Sequence, residues 1–161
     1  MNFQRVRKIE RSQTIPVNLE RAWDFFSSPL NLRQITPPEL DFVVVSQVPE
    51  KIYPGLMIEY RVRPLFGLRM PWLTEITQVR APHYFVDEQR LGPYRLWHHE
   101  HFFESTSDGS GTIVRDLVHY IIPFSPLSEL AHPLLVAPQL KKIFDYRARR
   151  LEEFFGKSAS R

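Results

Sequence analysis

FVDEQRLGPYRLWHHEHFFE, Phe85 to Glu104, is the stretch on which the fold turns. Gly92-Pro93 near its centre is turn punctuation, and the runs on either side are rich in aromatic and β-branched residues. Two extended runs joined by so short a turn must lie antiparallel. In the second run Trp97, His99, His101 and Phe103 share one face. His98, Glu100, Phe102 and Glu104 share the other. The first set has large aromatics at both ends and is placed inward; the second faces water, with Phe102 as its one misfit. In the first run Phe85, Asp87 and Gln89 share a face, and Asp87 is taken as the inward acid of the Asp87-Glu88 pair.

The same reading extends outward. Leu40–Val48, Leu56–Arg63, Leu68–Val79 and Thr112–Ile122 read as further strands, linked by YPG, LFG, RAP and STSDGSG. With the hairpin they make a six-stranded meander. An opening strand over Phe3–Ile15, anchored by Val6 and Ile9, adds a seventh at an edge. Between them PVNLERAWDFFSSP places Asn18 as N-cap and Leu19, Ala22, Trp23 and Phe26 on one helical stripe. A shorter turn follows at Asn31–Ile35, before Pro37-Pro38. Prolines 126, 133 and 138 divide the last third, so short turns over Pro126–Val136 precede a long helix with Pro138 in its first turn. Leu140, Phe144, Arg147 or Ala148, Leu151 and Phe155 form its stripe.

These elements predict an α+β fold: a curved seven-stranded antiparallel sheet wrapped on a long C-terminal helix, with two short helices after the first strand. A sheet with one apolar face needs a cover, and that helix is the available one. One domain over residues 1–156 is expected, with a flexible tail at 157–161.

Bulk properties agree. The chain has 161 residues, is 43% hydrophobic, and carries 12 Phe, 6 Tyr and 3 Trp, enough for one core built of large flat side chains. There is no Cys, which excludes disulfides, thiol catalysis and cysteine-bound zinc. A net charge of +3 is not the footprint of a dedicated nucleic-acid binder. The basic residues of the last helix alternate with Asp145, Glu152 and Glu153, as on a solvated face. No apolar run reaches the roughly 18 residues of a membrane span, and the start lacks the apolar centre of a secretory signal. A cytoplasmic protein without stable membrane insertion is expected.

Several strings are similar to one known group. They are Trp23-Asp24-Phe25-Phe26, LRQITPPEL at Leu32–Leu40, the hairpin itself, GTIVRDLVHYIIP at Gly111–Pro123, and LKKIFDYRARRL at Leu140–Leu151. Together they resemble the START-like, or SRPBCC, superfamily, and within it a bacterial ligand-binding branch. That superfamily includes the birch pollen allergen type, lipid-transfer START domains and polyketide cyclases. The resemblance spans almost the whole chain. It implies the helix-grip fold and a cavity between sheet and C-terminal helix for a hydrophobic or amphipathic molecule: a lipid, an aromatic or a polyketide-like compound.

Candidate site residues follow from the inward faces. Trp72, Trp97, Phe103, Tyr120 and Phe144 would supply apolar burial, and Thr74, Asp87, His99, His101 and Asp116 polar specificity. Asp116 sits among Thr112, Val114, Val118 and Tyr120 on one face of its strand, where a buried acid needs a partner. A register joining it to His101 is compatible with the STSDGSG loop. Four readings of the His-Asp group stay open: ligand contact, structural pairing, general acid–base work and metal binding. His99 and His101 lie about 6.5–7 Å apart along a strand, so they can chelate zinc if a third ligand arrives. Only Asp116 looks placed to be that ligand, so neither metal nor cofactor is assigned. For Asp87 the alternative is a rim salt bridge to Arg61, Arg63 or Arg95. The preferred function is binding of a small molecule without modifying it, with entry gated by Pro126–Pro138 and by the turns before Leu40 and after Pro64. One alternative is a cyclase-, dehydratase- or hydrolase-type enzyme using His101 and Asp116. Another is an interaction module using a sheet edge or the basic helix.

Overall fold

The computed structural model describes residues 5–63, 68–123 and 132–158. In chain order its elements are β1 (Arg7–Ile15), α1 (Leu19–Phe26), 3-10 turns at Pro29–Ile35 and Pro38–Leu40, and β2 (Val43–Val44). There follow β3 (Leu56–Val62), β4 (Met70–Arg80), β5 (Tyr84–Leu91), β6 (Leu96–Ser105), β7 (Thr112–Ile121) and α2 (Ala137–Phe155). The strands form one antiparallel sheet in the order β1-β7-β6-β5-β4-β3-β2, so β1 lies at an edge. This is the helix-grip architecture that the hairpin and its neighbours predicted.

Period-2 alternation builds the sheet. Along β7 every second residue, Thr112, Val114, Asp116, Val118 and Tyr120, is buried, and β3 alternates as strictly. β4 departs from regular register at Leu73/Thr74 and Ile76/Gln78. Such irregularities bend a strand, and here they help the sheet curl over α2. On α1 the Asn18 side chain accepts a hydrogen bond from the Arg21 backbone N–H at 3.0 Å, and Leu19, Ala22 and Phe26 are buried. The buried stripe of α2 is Leu140, Phe144, Arg147 and Leu151. Gln13 of β1 donates to the Ala148 carbonyl at 3.0 Å, tying the helix to the sheet edge.

Two expectations change. The strand expected over Leu40–Val48 reduces to Val43–Val44. Asp41 stands in the left-handed region at φ 45°, and beyond Val45 the Ser46 hydroxyl takes the Glu59 N–H that a longer ladder would use. The first strand opens at Arg7, and Val6 is exposed while Ile9 packs on the core. A helical turn at His132–Val136 leads into α2. The rest of the turns expected from Pro126, with most of the proposed gate, lies outside the described residues, as do positions 64–67. No helix among the described residues is long and apolar enough to cross a membrane.

The core has two parts. One gathers Ile15, Phe26, Phe85, Phe103, Val114 and Leu151; the other gathers Trp97, Val118, Tyr120, Leu140 and Phe144. On β6, β7 and α2 alike, polar residues stand between the two: His99 and His101, Asp116, and Arg147.

Candidate functional site

The alternation of β6 delivers His99 and His101 to the inner face, 6% and 4% exposed. Both neighbouring strands meet them with an acid. β7 places Asp116 directly opposite His101, and β5 places Asp87 directly opposite His99. The Asp116 carboxylate Oδ1 lies 3.0 Å from His99 Nε2, 2.9 Å from His101 Nδ1 and 3.1 Å from Arg147 Nη2. Asp87 Oδ2 lies 2.7 Å from His101 Nε2 and 3.5 Å from His99 Nδ1. Each imidazole thus turns one nitrogen to Asp116 and the other toward Asp87. Phe85 stacks on His101 with ring centroids 4.0 Å apart, and the two imidazoles lie 3.7 Å apart.

Burial and pairing compete for every charge here. Burial would raise the Asp116 carboxyl, but the Arg147 cation and the hydrogen bonds from both histidines outweigh it and hold it well below the usual carboxylate range. Asp87 is lowered too, its burial outweighed by His99, His101 and Arg147. Burial pulls His101 down, yet hydrogen bonds to Asp116 and Asp87 prevail and raise it. His99 is lowered by burial and by the charge of His101, against the pull of both acids. Two ionised carboxylates and the Arg147 guanidinium leave room for one more positive charge, and the shifts make His101 the more basic imidazole and His99 the less basic. With that charge the formal sum is zero, which is what a buried ionic group requires.

This cluster forms one wall of a cavity of about 200 Å³ between the sheet, α2 and the 3-10 turns. A single buried water needs about 15 Å³, so the space suits a larger guest. Thr74, Asp87, His99, His101 and Arg147 are its polar points on the sheet and α2 side, Ser28, Asn31, Thr36 and Gln139 add polar atoms elsewhere, and Phe42, Tyr60, Trp72, Trp97, Leu140 and Phe144 supply aromatic and aliphatic wall. Leu32, Ile35 and Leu40 of the 3-10 turns also line it, so the turn expected to gate entry borders the cavity. A wider hollow of about 640 Å³ on the outer face, beside Tyr84, Phe102 and Arg115, has exposed Gln78, Arg80 and Glu104 at its rim and lies away from the buried polar groups.

Of the ten residues singled out in the sequence, seven line the cavity: Trp72, Thr74, Asp87, Trp97, His99, His101 and Phe144. Three do not. Asp116 sits behind the histidines and Arg147 and reaches the cavity through them. Phe103 packs into the core against Trp23 and Phe26. Tyr120 hydrogen-bonds through its hydroxyl to His132 Nε2 at 2.8 Å. Asp87 engages the histidines and not the expected arginines; Arg63 turns to Asp41 instead, at 3.1 Å. The outer face of β6 carries no share of this chemistry. His98 pairs with Glu88 at 2.7 Å, Tyr84 donates to Glu100 at 3.0 Å, and Phe102 lies under the Arg115 guanidinium at 3.9 Å.

Arg147 was missed, because its neighbours made the whole basic run look solvated. Lys141, Lys142 and Arg150 do form surface ion pairs, with Asp145, Glu39 and Glu153. A cation at the third position of the Leu140–Phe144–Leu151 stripe, facing two inward acids, was the available signal.

The strand order and the long C-terminal helix give the class of fold, a helix-grip architecture, and solved structures share it. Among solved structures the chain is similar to CV1439 from Chromobacterium violaceum, with a TM-score of 0.66 and 13% identity over 94% of this chain and 99% of that one. It is similar to Ms6760 from Mycobacterium smegmatis, with a TM-score of 0.62 and 18% identity over 91% and 92%. It is also similar to Ara h 8.0201, with a TM-score of 0.58 and 15% identity over 92% and 99%. No protein-family model and no curated protein matches the chain. At these identities the likeness is one of fold.

Proposed function

We propose that the chain binds a hydrophobic or amphipathic small molecule, of lipid, aromatic or polyketide-like type, in the cavity between sheet and α2, and holds it without chemical change. The observation that carries this reading is the make-up of the wall. Aromatic and aliphatic side chains surround most of the space, and its acidic, guanidinium and imidazole groups, Asp87, Arg147, His99 and His101, are gathered in one patch. An amphipathic guest fits that division, its apolar body against Trp72, Trp97 and Phe144 and its polar end at His99, His101, Asp87 and Arg147. The apolar contact supplies affinity and the patch fixes orientation.

Protein purified from its native host should carry an extractable small molecule, seen by mass spectrometry of the organic extract. Ile143→Trp, which pushes a large ring into the cavity from α2, should empty it while leaving a folded protein. An extract with no enriched compound, together with no quenching of tryptophan fluorescence by a panel of fatty acids and aromatic amphiphiles, would sink the proposal.

A second reading, an acid–base enzyme of cyclase, dehydratase or hydrolase type, is favoured by the presence of two imidazoles and a carboxylate on the same wall. Asp116 would then orient the rings and stabilise an imidazolium. The two readings separate on the recovered compound. A binder returns it unaltered after long incubation; an enzyme alters it, and His101→Gln stops the change while still binding it.

A further inference from the structure

We propose that His99 Nδ1, His101 Nε2 and one Asp87 carboxylate oxygen form a site for a divalent transition-metal ion, zinc or iron(II), at the polar wall of the cavity, with Asp116 and Arg147 as its support.

The sequence argued against a metal because only one further carboxylate looked well placed. The sheet supplies two, in different roles. Candidate ligand atoms of Asp87, His99 and His101 all lie within 4.8 Å of one another. Two imidazoles and one carboxylate, with the remaining positions open, is a donor set used by zinc and by non-haem iron(II). Asp116 does what a metal-binding histidine needs from a neighbour. It stands at the far nitrogen of each ring, accepting a hydrogen bond from His99 Nε2 at 3.0 Å and lying 2.9 Å from His101 Nδ1, and so helps hold both rings. With His99 Nε2 and His101 Nδ1 turned to Asp116, the nitrogens left over are the two that face Asp87.

Charge and distance fit as well. Arg147 offsets Asp116, so the remaining carboxylate, Asp87, needs one cation beside it. A divalent ion between Asp87 and the two imidazoles supplies that cation. Donor atoms on one metal at about 2.0–2.2 Å stand roughly 3.0–3.5 Å apart. The existing spacings are 2.7 Å from Asp87 to His101 and 3.5 Å from Asp87 to His99, close to that range, and the three ligand atoms all lie within 4.8 Å of one another. Asp87, His99 and His101 line the cavity and Asp116 does not, so the open coordination positions face the chamber. This inference concerns the same wall as the ligand reading but does not depend on it. A metal without an amphiphile, or the reverse, separates the two.

The test is to treat the full-length protein with a chelator, remove it, and titrate with Co(II) and Zn(II), following visible Co(II) bands and calorimetry. One equivalent should bind, and the melting temperature should rise with added Zn(II). Asp87→Asn keeps a hydrogen-bond acceptor of the same shape and should remove binding. Asp116→Asn should weaken it about 10–100-fold by loosening the rings. His98→Ala, which removes the imidazole of the outer-face group with Glu88 and Glu100, should change nothing. Absence of a saturable equivalent in the unmutated protein overturns the proposal without reliance on any variant. So does binding that survives Asp87→Asn or is lost in His98→Ala.

Discussion

Replacing Arg147 by Met tests the electrostatic account most directly. The substitution keeps the apolar stem that packs under α2 and removes the guanidinium. Arg147 is 7% exposed and Asp116 6%, with 3.1 Å between Nη2 and Oδ1. Removing one partner of a buried ion pair strands the other, at a cost of about 3–5 kcal/mol. Asp116 keeps the hydrogen bonds from His99 and His101, which sets the expectation near the lower end, about 3 kcal/mol. Loss of the guanidinium from its place 5.3 Å from the Phe26 ring adds about 0.5 kcal/mol. At a urea dependence of about 2 kcal/mol per M, the unfolding midpoint should fall by roughly 1.7 M. The assay is urea denaturation in the presence of a chelator, for the unmutated chain, Arg147→Met, Asp116→Asn and the double variant. The double should cost about 2 kcal/mol less than the sum of the singles, because each single strands a charge and the double strands neither. A loss under about 1 kcal/mol for Arg147→Met, or simple additivity, would refute the claim that this pair neutralises the buried wall.

Three further outcomes follow from the packing and the loops. Leu151, 2% exposed where α2 meets the first core cluster, should cost about 2–5 kcal/mol on change to Ala, whereas Leu91→Ala at a 56% exposed site should stay within about 0.5 kcal/mol in the same denaturation assay. Gly111→Ala should destabilise by about 1–3 kcal/mol, read from the same curves, because an added Cβ would meet the Ile15 carbonyl oxygen at 2.6 Å and that neighbour is backbone. Asp108 accepts hydrogen bonds from Ser110 and Thr106 in the β6–β7 turn, which lower its carboxyl to about 2. Its native pKa lies below the unfolded one, so its contribution to stability is complete above about pH 4 and is lost as pH falls through about 2. Carbon-detected NMR titration should show this depressed value, and Ser110→Ala should raise it.

How far the sequence could be read depended on whether a contact was set by local period or by distant geometry. The β6 faces follow from alternation alone, which places His99 and His101 inward and His98 and Glu100 outward. The His101–Asp116 pairing was accessible because one short turn joins those strands. Asp87 was harder. A strand residue has neighbours on two sides, and its nearer arginines were plausible partners until the β5–β6 register put it opposite His99. Arg147 was harder still. Residues 147 and 148 lie about 100° apart around a helix, and the stripe accommodates either. Only the rotation of α2 against the sheet, fixed by contacts far apart in sequence, turns the guanidinium inward. The short β2 had the same origin, since Ser46 competes for the Glu59 N–H only once β3 lies beside it.

The position of the polar wall bears on why it exists. Trp97 and Phe103 bracket His99 and His101 on β6, Val114 and Val118 bracket Asp116 on β7, and Phe144 and Leu151 bracket Arg147 on α2. At one level across three elements, then, apolar residues give way to ionisable ones. Well-packed apolar side chains at those positions would be as stable or more so, since buried ionic groups rarely add net stability over their isosteres. A purely structural role would need only enough polar atoms to satisfy one another, and Asp116 with Arg147 would suffice for that. The histidines and Asp87 go further, because they extend the network from Asp116 to the cavity surface. There, one nitrogen of each imidazole and a carboxylate face the chamber beside Trp72 and Trp97. Polar groups supported from behind and presented to an apolar space are arranged to orient a guest or hold an ion. That presentation is why the candidate site is placed at this wall and not at the larger hollow on the outer face.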